Sequence, residues 1–157
     1  MQKWLVAAMC GMATVAALAA TVTLDGVTEY AVASGVTNTV SDTLTGSGSI
    51  RKTGAGLLVL SGEGNDFTGG VAIEAGKVRV EAPDALGTGG VTVSGRNSGV
   101  FFNVAPEAIG EFALFTNKFD YTGSLGVQSS NYSMLFLKNT RLTGAVTASR
   151  NIRLRPG

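Results

Sequence analysis

Between Gly46 and Gly95 the chain alternates short apolar runs with glycine-bearing turns. The runs are Leu57–Leu60, Val71–Ile73, Val78–Val80 and Val91–Val93, each too short for a helix and most of them rich in β-branched side chains. The glycines between them mark turns, because a residue without a Cβ takes positive φ at no steric cost. A period of two within each run assigns faces. Leu58, Leu60, Val71, Ile73, Val78, Val80, Val91 and Val93 are predicted to point inward, and Glu74, Lys77, Arg79 and Glu81 outward.

The unit recurs. Thr68-Gly69-Gly70-Val71 returns unchanged as Thr88-Gly89-Gly90-Val91, twenty residues on. Thr-Gly pairs begin at positions 45, 53, 68, 88, 122 and 143, and the steps 45 to 68, 68 to 88 and 122 to 143 each approximate one rung of a solenoid. The step from 45 to 53 lies within one unit, and that from 88 to 122 spans an interruption. A single rung cannot stand alone. At about 0.8 kcal/mol per buried CH₂ its inward row is worth several kcal/mol, against ~1–2 kcal/mol per residue for ordering the backbone. Stability must come from the rungs above and below.

On either side the pattern loosens. Thr21 to Ser41 reads as leading strands, with Val22 alternating with Leu24, Tyr30 with Val32, and turns at Asp25-Gly26 and Ser34-Gly35. Arg96 to Glu111 interrupts the repeat: a strand at Phe101-Phe102, then a turn or one short helical turn near Pro106. Strands are predicted to resume at Phe112–Phe115, Leu125–Val127, Met134–Leu137, Leu142–Val146 and Ile152–Leu154. The aromatics gathered there, among them Phe101, Phe102, Phe112, Phe115, Phe119 and Tyr121, read as larger fillers for a wider part of the core.

The N-terminus has a different layout. Met1-Gln2-Lys3 precedes an apolar run from Trp4 to Leu18, and Ala17-Leu18-Ala19 supplies the small-x-small exit of a secretory signal peptide. A signal-peptide helix over residues 1–20, cleaved after Ala19 or Ala20 and engaging the Sec export machinery, is the expectation; a membrane anchor of about 20 residues is the alternative. The single cysteine, Cys10, falls inside this run, so residues 21–157 can form no disulfide. Roughly 137 residues remain, enough for one domain.

Charge and composition narrow the chemistry. Twelve basic and eleven acidic residues give a net charge of +1, which argues against nucleic acid as a partner. Twenty-two glycines and three prolines without a Gly-X-Y period indicate turn-rich β structure and exclude collagen. The chain has no histidine, which removes histidine-based nucleophilic catalysis and histidine metal sites. Phosphate-binding glycine loops are absent as well. Glu74 and Glu81 are the one carboxylate pair that could serve glycoside hydrolysis, and solvated surface is the simpler role. Ser61 to Phe67 nearly fits the nonapeptide of calcium-binding β-rolls, but in a single copy; a turn closed by Asn65 and Asp66 on their own backbone accounts for it. No acidic residue follows Asp120, while Lys138, Arg141, Arg150, Arg153 and Arg155 are basic. Arg153 and Arg155 share one strand face, which suits a solvated edge that discourages strand pairing, or a strip for lipopolysaccharide or acidic glycans. No residue draws a catalytic, cofactor-binding or metal-binding assignment, and no cofactor is expected.

The run Gly48-Ser49-Ile50-Arg51-Lys52-Thr53-Gly54-Ala55-Gly56, followed by Leu58, Leu60, Ser61, Gly62, Asn65, Phe67, Thr68, Gly69 and Gly70, resembles the autotransporter-associated β-strand repeat. Ala75-Gly76-Lys77-Val78-Arg79-Val80 and Ala85-Leu86-Gly87 are similar to its second half. Leu57 and Val59 stand where that family carries small hydroxylated residues facing outward. The resemblance implies an all-β exported passenger: a right-handed parallel β-helix over residues 21–157, best matched over about 46–95, behind the signal peptide of residues 1–20. It implies a non-enzymatic structural or adhesin-like role, secreted or at the outer-membrane surface of a Gram-negative-type bacterium. Host or cell-surface glycans or proteins would be met by outward loops and charges. The translocator barrel of such proteins is not expected in this chain, since nothing after Lys138 supplies strands of about 9–11 residues. The rival readings are a β-helical carbohydrate-active enzyme and a calcium-binding β-roll.

Overall fold

The computed structural model describes residues 19–104, 113–122, 133–137, 140–148 and 152–156, with backbone alone for 133–137, 140 and 152–156. The chain winds as short strands separated by corners. Thr21–Leu24 (β1), Val27–Ala31 (β2) and Thr37–Val40 (β3) form the first circuit, and Thr43–Gly46 (β4), Ser49–Thr53 (β5) and Leu57–Leu60 (β6) the second. Val71–Ile73 (β7) and Lys77–Val80 (β8) belong to the third, Val91–Val93 (β9) and Gly99–Phe102 (β10) to the fourth. Ala113–Phe115 (β11), Phe119–Tyr121 (β12) and Ser133–Leu137 (β13) follow, then Thr140–Leu142 (β14), Val146–Ala148 (β15) and Ile152–Pro156 (β16).

Each strand pairs with its counterpart one circuit away, and every pairing is parallel, as a chain returning to its start after a full turn requires. Two six-stranded sheets result, β2-β5-β7-β9-β12-β15 and β3-β6-β8-β10-β13-β16, with β1-β4 and β11-β14 on a third side. The architecture is the expected all-β parallel solenoid. Of the predicted signal-peptide helix over residues 1–20, only Ala19 and Ala20 fall among the described residues.

The register explains the ragged spacing. Ile50 pairs with Val71 and Val71 with Val91, steps of 21 and 20 residues. Val91 then pairs with Phe119 and Phe119 with Val146, steps of 28 and 27. The two longer circuits hold residues 105–112 and 123–132, which include the predicted turn at Pro106 and strand at Leu125–Val127; both lie outside the described residues. The repeated Thr-Gly-Gly-Val strings stack directly, with Val71 N donating to Gly90 O at 2.9 Å. Gly70 has φ of +79°, and a Cβ there would stand 2.3 Å from the Gly90 carbonyl oxygen, so glycine is required at the crossing.

The eight residues predicted inward are all buried, and they join one core with Leu24, Leu44, Ile50 and Val100. Phe67, Ala85 and Leu86 close the third side where no strand pair exists. Phe102 lies edge-on to Phe115 at 4.6 Å and to Phe119 at 5.9 Å between ring centroids. These aromatics therefore fill the core of the longer circuits. The predicted single strand Leu142–Val146 is corrected: Leu142 ends β14 and Val146 opens β15 in a different sheet. A corner at residues 143–145 separates them, held by Thr143 N to Phe115 O at 2.9 Å, with Gly144 against the Asn117 backbone.

Candidate functional site

With the interior apolar, any partner must be met by the outward positions, and the two large sheets differ there. On the β2–β15 sheet the outward charges are matched. Glu29 accepts from Arg51 Nη2 at 2.6 Å and from Thr53 Oγ1 at 2.8 Å, both one circuit further on. The Arg51 hydrogen bond, then that of Thr53, holds the Glu29 carboxyl below its ordinary pKa. Asp120 accepts from Thr147 on the next circuit and pairs with Lys118 Nζ at 3.1 Å, which lowers its pKa likewise.

The β3–β16 sheet is different. None of its six strands contains an acidic residue, while they carry Lys77, Arg79, Arg153 and Arg155. Register places Thr37, Leu57, Lys77 and Gly99 in one outward column, and Thr39, Val59, Arg79 and Phe101 in the next. Lys77 is exposed, with its Nζ 5.5 Å from the centroid of the half-buried Phe101 ring. Arg79 Nε pairs with Glu81 Oε1 at 2.8 Å. Leu57 is half-buried, and Val59 is only 1 % exposed despite its outward parity, between Thr39 and Arg79 in the register. Instead of small hydroxylated residues this face presents an apolar step beside two cations. The sheet continues with Gly99 paired to Met134 and Phe101 to Phe136, then Met134 to Arg153 and Phe136 to Arg155. The side chains of Arg153 and Arg155, and the whole of Lys138 and Arg150, lie outside the described residues.

The other sequence candidates fall into place separately. Glu74 is exposed at the end of β7 and Glu81 follows β8, so the two carboxylates terminate strands of different sheets. In the turn from Ser61 to Phe67, Asn65 is buried; its Oδ1 accepts from Leu44 N at 2.6 Å and its Nδ2 donates to Gly62 O at 2.7 Å. That side chain serves the polypeptide, binding its own turn to the circuit before. Among the described residues no three His, Cys, Asp or Glu side chains are grouped as a metal site would need.

Two interior polar residues were not singled out from the sequence. Asn117, also buried, donates through Nδ2 to Gly87 O at 3.0 Å and Gly89 O at 2.7 Å. Lys52 is completely buried and its Nζ reaches three carbonyl oxygens, of Thr53, Gly54 and Ala75. Burial lowers its pKa. Alternation from Ile50 is the signal that places Lys52 inward.

Residues 50–80, from the first inward position of β5 to the end of β8, match the family model of the passenger-associated-transport-repeat. The chain carries an autotransporter passenger repeat. A stretch of 56 residues, 36 % of the chain, is 43 % identical to the adhesin BmaC autotransporter of Brucella suis biovar 1 (strain 1330). That stretch spans 2 % of the relative's length. No solved structure matches the chain. The passenger repeat thus covers two strands of each large sheet and includes both Lys52 and the outward pair Lys77 and Arg79.

Proposed function

We propose that this chain is a non-enzymatic, adhesin-like segment of an exported autotransporter passenger, working at or beyond the outer-membrane surface of a Gram-negative-type bacterium. The observation that carries this is the passenger repeat built into an uninterrupted parallel stack, in which the third circuit pairs with the second and fourth on both large sheets. A solenoid of this kind is stiff because each circuit is fixed by its neighbours. Its long outer faces are free to vary without disturbing the core, which suits contact with host or cell-surface glycans or proteins. The likeness to part of an adhesin supports the same reading. Export begins with Sec recognition of residues 1–20 and ends with folding of 21–157 outside the inner membrane.

The test is display. Bacteria producing the chain at their surface are expected to be retained on matrix-coated glass several-fold better than the same strain without it. The mature protein is expected to begin at Ala20 or Thr21. Equal retention of the two strains, or an uncleaved chain held in the cytoplasm, overturns the proposal.

A further inference from the structure

We propose that the outer surface of the β3-β6-β8-β10-β13-β16 sheet binds an acidic polysaccharide, its carboxylates meeting Lys77 and Arg79, with the basic positions 153 and 155 further along the same two register columns, and its sugar rings lying along Leu57 and Phe101. This rests on the adhesive reading above and names the ligand class it leaves open.

The argument begins with charge asymmetry. The two large sheets come from one chain of net charge +1, yet only one of them lacks acidic residues in all six strands. On the opposite sheet Glu29 is neutralised by Arg51 of the next circuit and Asp120 by Lys118 beside it. On this one the nearest acid is Glu81, beyond the end of β8, where it engages Nε of Arg79. That ion pair places the guanidinium at the end of β8 and leaves the other donors of the fork, whose geometry suits a carboxylate. Lys77 is likewise placed by the Phe101 ring, while an ammonium over a ring keeps its donors for an anion.

Spacing selects a polymer. Strands in a sheet are about 4.8 Å apart, close to the length of one pyranose unit. Lys77 and Arg153 occupy one register column, three strands apart, through Gly99 and Met134. Arg79 and Arg155 occupy the adjacent column, through Phe101 and Phe136. A chain laid across the strands therefore meets basic positions at both ends of a span of about 14 Å, with apolar and aromatic positions between. Nucleic acid needs a denser run of phosphate contacts, whereas a sugar polymer offers apolar ring faces as well as charge.

The full chain is assayed against immobilised polygalacturonate, the same polymer with its carboxyls reduced, and single-stranded DNA. Binding is expected to the first alone, weakening as salt rises. Lys77→Gln/Arg153→Gln/Arg155→Gln is expected to bind at least about tenfold more weakly with an unchanged unfolding midpoint, and Lys77→Arg to retain binding. No binding to polygalacturonate, unchanged affinity in the triple variant, or equal affinity for DNA overturns the proposal. Surface display is scored in parallel. Adhesion retained by the triple variant removes this site and leaves the adhesive reading standing. Polygalacturonate bound by a chain that confers no adhesion removes the adhesive reading and leaves the site.

Discussion

The ammonium nitrogen of Lys52 lies 3.1 Å from the carbonyl oxygen of Ala75, a residue one circuit further along the solenoid. The same nitrogen donates to Thr53 O at 2.7 Å and Gly54 O at 2.6 Å. An ammonium has three donors, and here all three end on main-chain carbonyls at a corner where the strand ladder has stopped. The register column in which Lys52 sits is otherwise Tyr30, Ile73, Val93, Tyr121 and Ala148. A buried cation in such a row is tolerable only because it is fully hydrogen-bonded, and its effect is to tie the second circuit to the third.

Lys52→Met tests that tie. Methionine keeps the length of the side chain and is at home in the core, but it takes the ammonium donor from the carbonyls of Gly54 and Ala75 and leaves Thr53 O with Val32 N alone. An unsatisfied buried acceptor costs about 1–3 kcal/mol, and water reaches the Gly54 and Ala75 corners in part, so a loss of about 1–2 kcal/mol is expected. The urea midpoint of the mature chain measures it. A midpoint equal to that of the parent would show the carbonyls to be satisfied without the lysine.

The two copies of Thr-Gly-Gly-Val are not equivalent, and alanine substitution separates them. Gly70→Ala forces a side chain into left-handed backbone and against the Gly90 oxygen, a combined cost of about 2–4 kcal/mol. Gly90→Ala meets only Lys118 O at 3.6 Å, ordinary contact. It is expected to be within about 0.5 kcal/mol of the parent. Thermal unfolding of the two variants side by side decides it; a similar loss in both would contradict the stacking order.

How much of this was legible follows from which signals are local. The inward aliphatic rows, the outward set and the stacked repeat could be read off because period-two alternation survives wherever the strand is apolar. β5, Ser49–Thr53, was harder, since Arg51 and Lys52 hide its pattern and only the carbonyls of its own corner and of Ala75 in the next circuit explain why Lys52 is inside. The cationic character of one face was equally hidden. Lys77 and Arg153 are far apart in the chain, and only the register through β10 and β13 puts them in one column. The split between Leu142 and Val146 failed for a related reason: a corner contains no apolar break when Gly144 and Ala145 turn it. Local pattern gives the strands; circuit-to-circuit pairing gives the surface.

Asn65 offers a decision between a structural turn and a calcium loop. Asn65→Asp would strengthen a calcium site by adding charge. In the structure observed it removes the donor to Gly62 O and sets a carboxylate oxygen against that carbonyl. The expected outcome is a lower unfolding midpoint, by about 1–3 kcal/mol, unaffected by calcium or chelator. Recovery of stability on adding millimolar calcium would reverse the assignment.

Acid should loosen the stack through Glu29 and Asp120. Both carboxyls have folded-state pKa values below the ordinary range, Glu29 through Arg51 and Thr53, Asp120 through Thr147 and Lys118. A lowered folded value means that the unfolded chain takes up protons first as pH falls. Their contribution is therefore complete above the ordinary carboxyl range, about pH 4–4.5, and is lost as pH drops through the lower folded values. Glu29→Gln with Asp120→Asn removes the titrating groups and keeps one of the two acceptor oxygens at each position, so unfolding midpoints between pH 7 and 2 should start lower and fall less steeply than in the parent. Salt separates the causes, because screening weakens the exposed Arg51 and Lys118 pairs more than the hydroxyl donations of Thr53 and Thr147. An acid limb as steep in the double variant as in the parent would place the sensitive carboxyls elsewhere on the chain.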